Sequence, residues 1–204
     1  LALAVGLAGP VCAQSYPARP VHIVVPFTAG AGVDVVIRAL TPELSSRWDQ
    51  AVVVENRAGA GTLIGAEAVA RAPADGYTLL ATNTQTITSN RYLFKTLPYD
   101  PERSFAPITM VVRADMFFLS HPAVPARDLK ELVAFARQGA TNLSYGSWGI
   151  GSDAQLAYEH LNHREALNIT HVPYKGVGPV MAALTAGEIQ LSAASAGVAG
   201  ALGS

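Results

Sequence analysis

The sequence predicts an α/β protein of two lobes, each a parallel or mixed sheet with flanking helices, with a ligand cleft between the lobes. Three observations carry this. Short β-branched runs end in small-residue loops that restart as helices, as in VHIVVPFTAGAGVD over residues 21–34. Strand and helix patterns then alternate in βαβαβ order, which closes as a parallel sheet with helices packed on it. The same order recurs after the proline-containing stretch 121–125. These features divide the chain into a leader at 1–13, a first lobe at 14–120 and a second lobe at 121–204.

Composition allows a packed core, since 50% of the 204 residues are apolar and 14% are charged. Disordered chains show the opposite balance. With 14 basic against 15 acidic side chains, no global positive field draws nucleic acid or anionic lipid. An anion would have to be held by local geometry. Residues 1–8 form an apolar run too short to span a bilayer, which takes about 20 residues. Val11-Cys12-Ala13 follows with the small residues of a signal cleavage site, so the mature chain is expected to begin near Gln14 and to be exported. A buried N-terminal element or a lipidated Cys12 are the alternatives, although Gly9-Pro10-Val11 is a poor lipidation motif. Removal of Cys12, the single cysteine, leaves neither a disulfide nor a thiolate nucleophile.

In the first lobe, strand 21–25 stops at Pro26 and a helix is expected over 34–48. Val36, Leu40, Leu44 and Trp48 recur every four residues and predict its buried stripe, with Pro42 kinking or breaking it. Strand 51–55, turn 56–61 and an Ala-rich helix to residue 72 follow. Pro73-Ala74-Asp75-Gly76 turns the chain into strand 77–81. A polar Thr/Asn-rich loop is expected over 82–90, then a stretch with three prolines at 97–107 and strands at 108–112 and 116–120.

In the second lobe, Asp128 and Glu131 make a capping-box-like start for a helix to residue 137. Strand 142–145 leads into loop 146–151, and Ser152 or Asp153 caps the next helix. Strand 169–172 ends in Pro173-Tyr174-Lys175-Gly176, followed by a helix over 178–186 and a strand over 188–192. The chain then ends in Ala/Gly-rich sequence with no predicted terminal helix, as a truncated chain would.

Four strand ends carry small-residue loops, at 27–32, 82–84, 147–152 and 173–178. Ligands of open α/β sheets sit outside the carboxyl ends of strands, so the four are candidates for one crevice. Three run directly into helix N-termini, whose free N–H groups and dipole favour a carboxylate or phosphate.

The segments VPFTAGAGVD, VVVENRAGAGTLIGAEAVARAPADGYTLL, LPYDPERSFAPIT and HVPYKGVGPVMAAL, in this order, resemble the substrate-binding proteins of tripartite tricarboxylate transporters. That family of periplasmic receptors is also called the Bug proteins, and the likeness runs over residues 16–192. It implies a type II periplasmic-binding fold and a periplasmic monomer that captures a small organic carboxylate for membrane permease subunits. It implies no enzyme activity, cofactor, metal or nucleic acid. It also implies that a return segment completing the first lobe lies outside this sequence, and that the chain alone is unstable.

By the same resemblance, Phe27 and the backbone of Gly30, Ala31 and Gly32 line the cleft, and Asp34 caps the following helix. Ala31 replaces a family glycine, which is tolerable only at a negative φ. Thr82, Asn83 and Thr84 join them from the third strand end, with Ser147, Trp148, Gly149, Ser152 and Tyr174 from the second lobe. Trp148 and Ile150 replace polar family positions, and Trp148 would add an aromatic wall. A carboxylate that often pairs with an α-amino group in the family falls at Ala194, so a plain carboxylate is expected over an amino acid.

Competing readings exist for several motifs. Gly59, Gly61 and Gly65 suggest a dinucleotide loop or close helix packing. Glu159, His160 and His163 suggest a metal site or an exposed helix face. Ser152, Asp153 and His171 suggest a hydrolase triad, against a helix cap and a hydrogen-bonded core histidine. Lys175 fits the cleft mouth or an ordinary surface position. A sensor subunit docking on a membrane signalling partner would use the same lobes.

Overall fold

The computed structural model describes residues 15–138 and 143–200; the expected leader at 1–13 lies outside them. The first half runs β1 (Val21–Val25), α1 (Gly32–Trp48), β2 (Val52–Asn56), α2 (Leu63–Ala70) and β3 (Thr78–Leu80). A π-helical turn, Gln85–Ser89, continues into α3 (Asn90–Leu93). Next come β4 (Met116–Ser120), α4 (Leu129–Arg137), β5 (Ser144–Ser147) and α5 (Asp153–Glu165). β6 (Thr170–Pro173), α6 (Val177–Ala186), β7 (Leu191–Ser195) and α7 (Ala196–Gly200) complete the described chain.

Two sheets form. The first is parallel, in order β2-β1-β3, with Val21 opposite Val52 and His22 opposite Thr78. The second has the order β4-β7-β5-β6 and is mixed, because β4 runs antiparallel to β7 while β5 runs parallel to β6 and β7. Val21, Ile23, Val24 and Val25 are buried in the first unit. In the second, Leu132, Tyr145, Tyr158, Leu161 and Leu191 pack on one side, with Val180, Met181, Leu184 and Ile189 in a separate cluster. Tyr145 and Tyr158 stack with ring centroids 4.6 Å apart.

Several expectations change. Helix α1 buries Asp34 and Ile37 and half-buries Val36, Leu44 and Trp48, so the predicted stripe fails only at Leu40, which is exposed. The helix continues through Pro42. Proline there leaves the Arg38 carbonyl without its N–H partner, and the Thr41 hydroxyl donates to that carbonyl at 2.9 Å instead. Residues 85–90 of the expected 82–90 loop are helical, with the helix running on to Leu93, and α7 stands where no terminal helix is expected. Residues 108–112 form no strand. Their composition suits one, but no described strand lies beside them, and Ile108 and Met110 are 77% and 76% exposed. Strand propensity needs an edge to pair with.

Strand β4 was placed with the first lobe, which was expected to reach residue 120. It pairs instead with β7 along its whole length, from Met116↔Ser195 to Ser120↔Leu191. The chain therefore enters the second sheet before the His121–Pro122 crossing. The two helix starts in the second unit behave as expected from their caps. Asp128 accepts from Glu131 N–H at 2.7 Å, and Glu131 reaches back to Arg127 N–H at 2.8 Å. Ser152, not Asp153, is the N-cap of α5, accepting from Gln155 N–H at 3.4 Å.

Candidate ligand-binding site

The four strand-end loops converge. A Cβ added at Gly176, after β6, would lie 3.4 Å from Thr28 Oγ1 in the loop after β1. Gln85 Nε2, just beyond β3, donates to the Ile150 carbonyl after β5 at 3.0 Å. Within the second unit, Tyr174 N–H donates to the Ser147 carbonyl at 2.8 Å, joining the loops after β5 and β6. All four loops precede helical turns.

The first loop is built around a buried charge. Asp34 is 2% exposed and accepts from Gly30 N–H at 2.9 Å, from Arg38 Nε at 3.0 Å and from Asn56 Nδ2 at 2.8 Å. Asn56 also donates to the Phe27 carbonyl at 3.1 Å, tying both ends of the loop to one side chain. Burial alone would raise the Asp34 carboxyl. The bonds from Gly30, Arg38 and Asn56, with the Arg38 charge, overcome it and hold the group below the usual carboxylate range. The expected capping role is thereby corrected. Ala31 is the N-cap residue and makes no side-chain bond; Asp34 sits three residues in and reaches back to Gly30. Ala31 has φ −66°, as its side chain requires, while Gly30 takes the left-handed position at φ +82°.

The loop after β5 is held without a paired charge. Ser147 is fully buried, and its Oγ lies 2.7 Å from His171 Nε2 and 3.0 Å from the Gly149 carbonyl. His171 Nδ1 faces Gln155 Nε2 at 3.4 Å, and Gln155 Oε1 accepts from Gly151 N–H at 2.6 Å. One tautomer satisfies the set: Gln155 donates to Nδ1, Nε2–H donates to Ser147, and the serine hydroxyl donates to Gly149 O. Burial lowers the His171 pKa, partly offset by Glu159, which favours this neutral form. His171 also stacks on Tyr145 at 4.9 Å. The triad reading is corrected here: His171 faces Ser147, and Ser152 is spent as a buried helix cap.

The remaining expected residues divide. Phe27 and Ala31 are partly buried at the loop, and Gly30 and Gly32 are exposed with open space where a side chain would stand. Thr82 Oγ1 bonds Thr86 Oγ1, Asn83 Oδ1 accepts from Gln85 N–H, and Thr84 is exposed. Trp148 packs half-buried against the second-unit core, Tyr174 packs against the α6 cluster, and Ala194 is buried there too. Asp153 is half-buried at the start of α5, where burial pushes its carboxyl up. Glu159, His160 and His163 are exposed, and no group of three metal-ligating side chains occurs among the described residues. Gly65 packs against Pro26, where a Cβ would lie 2.7 Å from Pro26 Cβ, which accounts for one glycine of the dinucleotide-like motif by packing.

Gln85, Gln155, Arg38 and Asn56 were not anticipated. Glutamine and asparagine carry no motif of their own, and these four matter only through partners 4 to 65 residues away. A cavity of about 160 Å³ beside α2, lined by His22, Glu55 and Arg57, lies apart from the crevice. Its polar groups already bond each other, His22 Nδ1–Glu55 at 2.6 Å and Arg57–Glu55 at 2.8 Å.

Residues 36–201 match the family described as "Tripartite tricarboxylate transporter family receptor". The chain belongs to that family. Protein BugT of Bordetella pertussis is 35% identical over 185 residues, 90% of this chain and 57% of BugT. Among solved structures, Rpa4515 of R. palustris with adipate superposes with TM-score 0.86 at 32% identity, over 92% of this chain and 63% of that one. MatC of Rhodopseudomonas palustris with bound malate superposes with TM-score 0.78 at 31% identity, over 88% and 61%. The chain thus spans little more than half the length of the relatives it matches. The receptor-family fold confirms the expected two-lobed periplasmic-binding architecture.

Proposed function

We propose that this chain is the capture component of a tripartite tricarboxylate-type transporter, exported to the periplasm, holding a small organic carboxylate between its two sheets. The observation that supports it most is the meeting of four strand-end loops from both sheets in one crevice. Relatives of the same fold hold adipate and malate. In this reading the Gly30–Ala31–Gly32 loop, beside Phe27, presents the Gly32 N–H to a ligand carboxylate, directly or through water, while the Gly30 and Ala31 N–H groups hold the loop's shape through Asp34 and the Thr28 carbonyl. Ser147, Trp148, Gly149, Ser152 and Tyr174 shape the opposite wall, and Thr82, Asn83 and Thr84 close the third side. Asp34 acts indirectly, by fixing the first loop. A ligand touching both units favours their closed arrangement, which docks on the permease. The reading needs no covalent step, and the Ser147–His171 pair directs its hydroxyl proton to a backbone carbonyl.

The test is a thermal-shift screen of the full-length mature protein against dicarboxylates, tricarboxylates, aromatic acids and amino acids. A ligand at 100 times its dissociation constant stabilises by about 2.7 kcal/mol. A carboxylate shift that disappears on Gly30→Trp supports the reading. A folded protein that responds to no carboxylate overturns it.

A further inference from the structure

Among the described residues, one hydrogen bond joins residues 15–112 to residues 116–200, and it comes from Gln85. Its amide nitrogen donates to the Ile150 carbonyl at 3.0 Å, although the side chain is only 4% exposed and belongs to the first unit. The surroundings are shaped for it. Gly61 and Gly151 flank the amide, and a Cβ added at either would lie 3.7 Å and 3.4 Å from Gln85 Nε2. Both glycines have positive φ, +62° and +80°. Leu93, eight residues further along, packs so closely on Gly151 that a Cβ there would overlap Leu93 Cδ1.

What Gln85 grips is a unit. Ile150 and Gly151 belong to the loop that Gln155, His171 and Ser147 knit together through Gly151 N–H and the Gly149 carbonyl. A contact at Ile150 therefore positions the whole second-unit wall, including the start of α5. A single neutral hydrogen bond with apolar contact beside it suits a reversible clasp: it adds modestly to a closed state without locking it.

Resting on the receptor reading, we propose that Gln85 is a positioning residue for ligand capture, clasping the 147–152 loop onto the first unit and so setting how long a bound carboxylate is retained. Gln85→Glu keeps the size and replaces the donor with an acceptor facing the Ile150 carbonyl; Gln85→Leu removes both. In the full-length mature protein, stopped-flow measurements with malate and adipate should show dissociation faster by about five- to tenfold in either variant, the loss expected for one such bond. Association should change by less than about twofold, because encounter occurs in the open form. Dissociation that rises while association holds is a split that a merely structural role would not give.

A second measurement does not need a ligand. Spin labels at Ser46→Cys and His160→Cys, both exposed positions on opposite units, in a Cys12→Ala background, report the inter-unit distance distribution. The clasp predicts that Gln85→Glu shifts this distribution to longer distances. Unchanged dissociation, or superimposable distributions, overturns the proposal. If neither malate nor adipate binds the wild type, the choice of cargo fails, and the distance measurement still decides the clasp.

Discussion

The loops after β1 and β5 do the same job with different chemistry. Each follows a strand, precedes a helix and is held by side chains reaching back from the helix it precedes. The first is organised by a buried carboxylate with a guanidinium and an amide around it, the second by a serine, a neutral imidazole and an amide. The difference bears on the ligand. An anion entering the crevice meets a negative charge at the first loop that Arg38 already neutralises, and at the second loop it meets no charge from the knitting residues. Both solutions take up loop N–H groups themselves, Gly30 through Asp34 in the first and Gly149 and Gly151 through Ser147 and Gln155 in the second.

The comparison can be broken most severely at Asp34. Asp34→Ala strips Gly30, Arg38 and Asn56 of their common acceptor, and loss of charge-assisted bonds at a buried site costs about 2–4 kcal/mol. Urea unfolding of the full-length protein should show this; a loss under about 1 kcal/mol would mean the ionic cage is not what orders the loop. The neutral counterpart is weaker. Ser147→Ala removes the partner of His171 Nε2 and should cost about 1–2 kcal/mol, read by the same unfolding curve. An equal or larger loss than at Asp34 would reverse the ranking of the two loops.

Acidification should separate the loops as well. The folded His171 pKa is lowered, so the unfolded chain binds its proton more readily, and stability from this group falls as pH drops below the ordinary histidine value of about 6.5. Asp34 is also lowered, but from a carboxylate range, so its contribution is lost only below about pH 4. Stability should therefore decline first through the second loop, and His171→Phe, which keeps the stack on Tyr145, should flatten that upper part of the profile. A profile unchanged by the substitution would remove His171 as its source. The smallest effect is at Ala31. Its φ of −66° needs no glycine, so Ala31→Gly should lower stability by about 0.4–1 kcal/mol through the unfolded chain, and a gain would show that the loop is strained there.

Strands and helix starts were legible because their signals are local. The run VHIVV is β1 residue for residue, and Asp128 with Glu131 caps α4 within a few positions. The loops themselves were legible too, as small residues at strand ends. What was not legible depended on distant partners. Residues 82–90 read as polar loop because Gln85, Thr86 and Asn90 look solvent-directed, yet these three are buried against Thr62, Tyr99 and Ile150. Residues 108–112 are mostly β-branched and residues 116–120 mostly aromatic and apolar, both compositions that suit a strand, and only the second found a neighbouring strand.

By itself, then, the sequence determined most strands and helix starts, which loops would end strands, and, through its motifs, the receptor family. Periodicity, caps and glycine placement act over a few residues, so they are written in the order of the chain. The tertiary structure alone decided that β4 joins the second sheet, that Asp34 holds a loop rather than capping a helix, and that Gln85 bridges the two units. Those outcomes depend on strand edges and hydrogen-bond donors finding partners far away in the chain, and a partner is chosen by packing, not by spacing.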